Sequence, residues 1–433
     1  MIRSKSLNEK SFAVYGLGVA GKSVVKFLIK HNVKKIIKWD DNKENRRTQK
    51  IKGNLVNFKK KLKHVDYIIV SPGIKLNKKN ALTNIFSEYK KKIISDLDLL
   101  YFVYPKNKSI MVTGTNGKST TCKIIDHVLK NNKYDVKLGG NIGKSILDFT
   151  PNRKTIFIIE ASSFQLAYSR YIKPNYALML NISNDHLDWH GTRKNYLNAK
   201  LKIFKNQNKE DFALIGHKQL QKKLLKKKSK GNIKIVDLNS YKIVKSKIEN
   251  DYLLSKTNDL NMSFVFKLSK ILKIREKKFI KSLKNFKGLP HRHEIFYKKN
   301  NIKFINDSKA TSFEATRGAL ESSKNIHWIV GGKPKIGDKL RLNKLSKNIT
   351  KAYIIGKNIN FFKKQIEKKV KVEISKSLKK SLHSIFETIY TNTYQEKTVL
   401  LSPASASFDQ YENFEIRGNE FKKLVKHYAK KYF

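Results

Sequence analysis

Hydrophobic positions in this chain gather in short apolar runs. Most end on glycine or a small polar residue, and a stretch with helical spacing usually follows. Residues 11–15, Lys35–Trp39 and Tyr67–Val70 are the first such runs; residues 110–113, Thr155–Ile159 and Tyr176–Leu180 occupy the middle. Glu294–Tyr297, Lys303–Asn306, His327–Val330, Lys351–Ile355 and Thr398–Leu401 fill the last third. Runs of this length, bounded by turn residues, predict strands. The intervening spacing predicts helices after Gly21, over Cys122–Lys130, Tyr196–Phe204, Asn258–Leu272 and Glu276–Asn285, and from about Gly418 to Tyr432. Residues 96–109 read as a helix and linker broken at Pro105, and residues 205–256 as lysine-rich strand-and-loop material. Strand–helix alternation of this kind defines an α/β fold of doubly wound type.

At 433 residues the chain has room for two or three domains. Gly288-Leu289-Pro290 reads as a junction. No window holds the run of about 18 apolar residues that a membrane span needs, and Met1–Lys10 lacks the apolar core of a signal peptide. The single cysteine, Cys122, excludes an internal disulfide framework and suits a reducing compartment; its place on a helix predicts a small packed residue. Charge is the outlying feature, with 93 basic against 34 acidic residues and a net +59. That excess raises a polyanion partner as a possibility. However, the lysines run the whole length, with local runs at Lys90–Lys92 and Lys226–Lys228, and the expected state is a solvated lysine surface without a specific nucleic-acid partner.

Two glycine turns carry the chemistry. Gly16-x-Gly18-x-x-Gly21 follows the first strand, and Asp40-Asp41 ends the second, the pattern of a dinucleotide fingerprint. The region is too short for a full two-halved dinucleotide domain, so a nucleotide-diphosphate site is expected over a nicotinamide one. The second turn is Thr113-Gly114-Thr115-Asn116-Gly117-Lys118-Ser119-Thr120. Strand, glycine turn and helix present backbone N–H groups and a helix N-terminus to a phosphate. Lys118 is placed to reach terminal phosphates and Ser119 to hold magnesium. Only two residues separate Gly114 from Gly117-Lys118, where the general loop has four. Glu160 at a strand end and His186 soon after another are candidate magnesium ligands beside this loop. Lys200 alone would read as a surface lysine, since an ammonium has no acceptor for a cation.

Together, Thr113–Thr120, Gly140-Asn141-Ile142-Gly143, Glu160–Leu166, Asn184–Asp188, Leu289–Arg292, Asn306–Thr311 and Leu401–Gln410 resemble the Mur ligases end to end and in family order. The closest resemblance is to the branch that adds D-glutamate to UDP-N-acetylmuramoyl-L-alanine in peptidoglycan precursor synthesis. The resemblance implies three domains: a Rossmann-like UDP-sugar domain over residues 1–95, a central P-loop ATP domain over 96–288, and a Rossmann-like C-terminal domain over 289–433. It implies ATP, Mg2+ and a Lys200 carbamylated by CO2, in a cytoplasmic monomer. Lys118, Glu160, His186 and Lys200 would be catalytic, and Ser119, Glu160, His186 and Lys200 would serve the metal. ATP would meet Gly114, Thr115, Asn116, Gly117, Lys118, Ser119, Thr120, Asn258, Asn261, Arg292, Asp307 and Lys309. The UDP-substrate would meet Val19, Ala20, Asp40, Asp41, Gly73, Asn141 and His186. D-glutamate would meet Thr311, Lys335, Ser407 and Phe414. From spacing alone, Asn258 and Asn261 read as helix caps. The alternatives are another Mur-type or folylpolyglutamate ligase, or a basic nucleic-acid-binding P-loop ATPase.

Overall fold

The strands assemble into three sheets in a computed structural model that describes residues 7–75, 87–183, 185–226, 229–335, 337–390 and 395–433. Asn184, Lys227 and Lys228, named above, lie outside the described residues, as do Met1–Ser6. The chain folds as two units. The first comprises residues 1–241 and 261–283, and the second residues 242–260 and 284–433.

The first unit holds two sheets. Ser11–Tyr15 (β1), Lys35–Trp39 (β2), Tyr67–Val70 (β3) and Ile93–Ile94 (β4) form a parallel sheet in the order β2-β1-β3-β4. Ser109–Thr113 (β5), Val136–Gly140 (β6), Ile156–Glu160 (β7), Tyr176–Met179 (β8), Phe212–Ile215 (β9) and Asn232–Ile235 (β10) form a second, in the order β10-β9-β8-β5-β7-β6. It too is parallel throughout, and its central strand β5 is buried along its whole length. That burial explains the unbroken apolar run: helices cover both faces, so no position is left for polar alternation. The two sheets share one apolar core, in which Phe12 and Leu28 join Met111 and Phe157. Polar bonds add to it. Ser23 donates to Asp148 (2.7 Å), and the Tyr168 hydroxyl donates to the Ile74 carbonyl (2.6 Å). Asp98 accepts the backbone N–H groups of Arg170, Tyr171 and Ile172.

The second unit is built on Glu294–Lys299 (β11), Ile302–Asn306 (β12), Ile326–Gly331 (β13), Ile349–Ile355 (β14), Val372–Lys376 (β15) and Lys397–Leu401 (β16). The order is β11-β12-β16-β13-β14-β15, with only β11 antiparallel to its neighbour. The segment 242–260 belongs to this unit, and Gly318 packs so closely on Thr257 that a Cβ there would come within 2.9 Å of its Oγ1. Arg417 is buried on the last helix and donates to Ser308 Oγ (3.0 Å) and to the carbonyls of Ser308 and Ser405.

Three expectations need correction. Residues 205–256 include helices at Lys218–Lys226, Leu238–Lys245 and Asp251–Leu254 as well as β9 and β10; lysines on their outer faces hide the helical spacing. The last helix begins at Phe414, earlier than Gly418, because the Asn413 side chain caps it by accepting from Ile416 N–H (2.8 Å). Asn261 lies inside helix Asp259–Ile271, where its Oδ1 accepts from Thr121 Oγ1 (3.2 Å). Cys122 is fully buried and its thiol is pushed well up by burial, the packed residue its position predicts. Among the described residues, no helix is long and apolar enough to cross a membrane.

Candidate active site

The carboxyl ends of the second sheet's strands meet at the turn between β5 and helix Lys118–Asn131. Gly117 sits before that helix at φ 85°, a left-handed backbone that costs glycine little. A Cβ there would lie 2.2 Å from Asn261 Oδ1, so the turn has room only for glycine. The short loop is tied down from behind by Asn181, just past β8. Its Oδ1 accepts the N–H of Thr115 (3.0 Å) and of Asn116 (2.9 Å), and its amide donates to the Asn116 carbonyl (3.0 Å). Thr115 Oγ1 adds bonds to Tyr196 OH (3.1 Å) and from Ser183 N–H (3.0 Å). Two loop N–H groups are thus occupied by protein, which leaves the helix N-terminus, Lys118 and Ser119 as the anion-facing groups. Lys118 Nζ rests on the carbonyls of Gly114 and Thr115, each 3.0 Å away.

Behind the loop lie two buried groups of opposite character. Lys200 is 1% exposed and donates to the Gly114 carbonyl (2.7 Å), with its ammonium 4.8 Å over the Tyr196 ring. Burial drives its pKa well below the ordinary lysine value and Lys118 lowers it further, while Asp185 and Glu160 oppose the shift. Glu160 ends β7 at 2% exposure. Its Oε1 accepts from the Asn141 amide (3.0 Å), and its Oε2 is enclosed without a hydrogen-bond partner among the described residues. A buried carboxylate oxygen left unmatched is costly, and it is the feature a divalent cation would satisfy. Among the described residues, no three His, Cys, Asp or Glu side chains converge into a ready-made metal cage. A magnesium ion here would draw on phosphate oxygens as well, as is usual for that ion. His186 has a left-handed backbone (φ 53°), approaches Asp185 (3.5 Å) and packs edge-on against Phe164.

Residues expected to meet the UDP-substrate lie at the carboxyl edge of the first sheet and beside Glu160. Val19, 87% exposed, and Ala20 open the helix after β1, Gly73 follows β3, and Asn141 follows β6. Asp40 and Asp41 are already engaged. Asp40 accepts Leu17 N–H (2.5 Å) and Asn42 N–H (2.7 Å), which latches the glycine turn, and Asp41 accepts Tyr15 OH (2.5 Å) and the Trp39 indole N–H (3.1 Å). In the second unit, Asp307 accepts from His293 N–H (3.0 Å) and Ser402 Oγ (2.7 Å), and burial pushes its pKa up to about 7. Arg292 opposes that rise. Lys309 stands 3.6 Å over the Phe414 ring. Thr311, Lys335 and Ser407 follow β12, β13 and β16, so they share that sheet's carboxyl end, with Ser407 buried. Asn258 is buried, and its amide donates to the Tyr252 carbonyl (2.8 Å).

Asn181 and Tyr196 are not among the residues expected to act at this site. Asn181 ends an apolar strand, as Glu160 does, and that position was the available signal. Asn181→Leu is expected to raise the KM for ATP by about tenfold or more, since a misplaced positioning group is felt strongly at the reacting centre, with the melting temperature little changed. An unaltered KM would remove the positioning role.

Sequence and structural comparisons bear on the family and the fold. Residues 112–277 match the Mur ligase middle domain, and residues 10–91 the MurD-like Mur ligase N-terminal domain. The fold is also that of a Mur ligase. A MurF ligase from Thermotoga maritima in complex with ADP aligns with a TM-score of 0.59 at 15% identity, covering 99% of this chain and 100% of that one. FolC of E. coli in complex with ADP aligns at 0.51 with 14% identity, covering 83% and 99%. The chain is 34% identical to the UDP-N-acetylmuramoylalanine–D-glutamate ligase of Wolbachia sp. subsp. Brugia malayi over 96% of both proteins. It is 33% identical to that of Rickettsia felis over 98% of both. The chain therefore belongs to the UDP-N-acetylmuramoylalanine–D-glutamate ligase family.

Proposed function

We propose that this protein joins D-glutamate to UDP-N-acetylmuramoyl-L-alanine in a reaction driven by ATP, releasing ADP and phosphate. The observation that carries the reading is the pair of buried groups behind the shortened phosphate loop: a carboxylate with an unmatched oxygen, and a lysine whose pKa burial holds well below the ordinary lysine value. A carboxylate is a poor electrophile, so the alanyl carboxylate oxygen first takes the γ-phosphoryl group and ADP leaves. The D-glutamate amine then attacks the acyl carbon, an amide C–N bond forms, phosphate departs and the amine loses a proton.

Within the first unit, Lys118 leaves its carbonyl partners to neutralise the transferring phosphoryl group, while Ser119 and the helix N-terminus face the phosphates. Gly114, Thr115, Asn116, Gly117 and Thr120 shape the loop, and Asn261 fixes its far side. Magnesium, held by Glu160, His186, Ser119 and a carbamate on Lys200, would spread the charge of the phosphates. Val19, Ala20, Gly73 and Asn141 receive the UDP-sugar, with Asp40 and Asp41 fixing the wall of that pocket. In the second unit, Thr311, Lys335, Ser407 and Phe414 are assigned to D-glutamate, with Lys335 pairing a carboxylate. The domain limits 1–95, 96–288 and 289–433, a cytoplasmic location and a monomeric state belong to the same reading.

The test is an amino-acid panel. With ATP, magnesium and UDP-N-acetylmuramoyl-L-alanine, phosphate release is expected with D-glutamate and not with L-alanine, L-lysine or meso-diaminopimelate. Release with any of those three and not with D-glutamate overturns the assignment.

A further inference from the structure

A cavity of about 660 Å3 lies in the first unit away from the phosphate loop. Ile93 of β4, the end of helix Ser163–Tyr168, and the segment running from helix Arg193–Leu201 into Lys202–Phe204 form its walls. Lys90, Arg170, Lys202 and Lys205 all line it, and among the described residues none of the four makes an ion pair. The carboxylate whose charge Lys202 feels is Asp98, and that group is already held by four backbone N–H groups, of Ser95, Arg170, Tyr171 and Ile172.

Two of these cations are fixed in place. Arg170 donates from Nε to the Ile93 carbonyl (2.9 Å) and from Nη2 to the Lys90 carbonyl (2.5 Å), and Nη1 has no partner among the described residues. Lys202 is pinned to the Ala167 carbonyl, and its other two donors make no hydrogen bond among the described residues. Lys202 is half-buried and shares this one cavity with three further cations, a crowding of like charge that an entering anion relieves. Beside the charges stand two rings, Tyr168 and Trp189, edge to face at 5.7 Å.

We infer that this cavity is a second small-molecule site, which takes a phosphorylated compound with a flat apolar body. The four cations with no carboxylate among them select a doubly charged anion, and a guanidinium already held by two carbonyls loses little freedom on meeting phosphate. The rings supply the apolar wall, as small-molecule sites commonly combine a few fixed polar groups with apolar lining. The site matters because of where it sits. Ala199 and Lys202, which line it, flank Lys200, and Tyr168 holds the Ile74 carbonyl next to Gly73.

The experiment uses phenyl phosphate, titrated calorimetrically into the full-length protein with ADP, magnesium and UDP in excess, so that the phosphate loop and the uridine pocket are filled. One saturable site is expected, about tenfold tighter for phenyl phosphate than for inorganic phosphate through burial of the ring. The surface variant Lys90→Glu/Lys205→Glu should weaken it about tenfold or more. The same charge change at Lys379→Glu/Lys380→Glu, on exposed positions of the second unit, should leave it unchanged. Absence of saturable binding overturns the inference. Equal weakening in both variants, which would mean a diffuse lysine field, overturns it too, as does equal affinity for the two phosphates.

Discussion

Lys200→Ala is expected to lower ligase turnover by about a thousandfold or more, the scale of a charge-stabilising group at a phosphoryl-transfer centre. The argument starts from burial. An ammonium enclosed to 1% exposure beside a second lysine is held poorly in its charged form, so a larger share of Lys200 is the neutral amine at neutral pH than for a surface lysine. That amine can attack CO2: an N–C bond forms, one proton leaves to solvent, and the product is an anionic carbamate. The remaining N–H still serves the Gly114 carbonyl, now 2.7 Å from Nζ, while the new oxygens turn a donor into an acceptor for a cation. Formate or acetate should restore part of the activity of the alanine variant by returning a carboxylate to the gap, and Lys200→Arg, which keeps the cation, should stay inactive. Thermal melting of both variants checks that the fold survives. Normal turnover in the alanine variant would end the carbamate reading.

Glu160→Gln should lower turnover about 100-fold and raise the magnesium concentration needed for half-maximal rate. The substitution is nearly isosteric. Glutamine keeps an oxygen for the Asn141 amide, now 3.0 Å away, and changes only the oxygen that has no partner among the described residues. A purely structural role for Glu160 would therefore show in the melting temperature and leave the magnesium midpoint in place. A cation-binding role moves the midpoint. A magnesium titration at saturating ATP separates the two, and an unmoved midpoint removes Glu160 from the metal site.

Some of this architecture was legible in the sequence because its causes are local. Gly117 must be glycine to hold φ 85° under Asn261, and that need is written as a glycine before Lys118. Glu160 declares itself as an acid closing an apolar strand. The parts that stayed hidden depend on residues far apart in the chain. Asn181 reaches back 66 residues to the Thr115 N–H, and nothing in its neighbourhood announces the bond. Gln165 sits in a stretch that reads as part of the site, yet its amide donates to Asp96 (2.9 Å) and ties a helix start to the preceding segment. Arg417 gave no sign that it would be enclosed, because its three acceptors come from two separate loops. The lysine excess blurred helical spacing in residues 205–256, where apolar positions are few and the polar face is nearly uniform. It did not hide β5, β7 and β8, whose buried runs hold no lysine.

The path of residues 242–260 sets a rule for cutting this protein. They precede the Gly288-Leu289-Pro290 junction, yet they belong with the C-terminal unit, where Thr257 packs under Gly318 and Tyr252 packs under Gly288. A fragment beginning at residue 289 would carry the whole third sheet and still lack part of its own packing. An autonomous C-terminal fragment, or a chimera that exchanges this unit between relatives, has to bring residues 242–260 along as a separate piece. Proteolytic nicking beside that segment would accordingly leave two chains held together by packing alone.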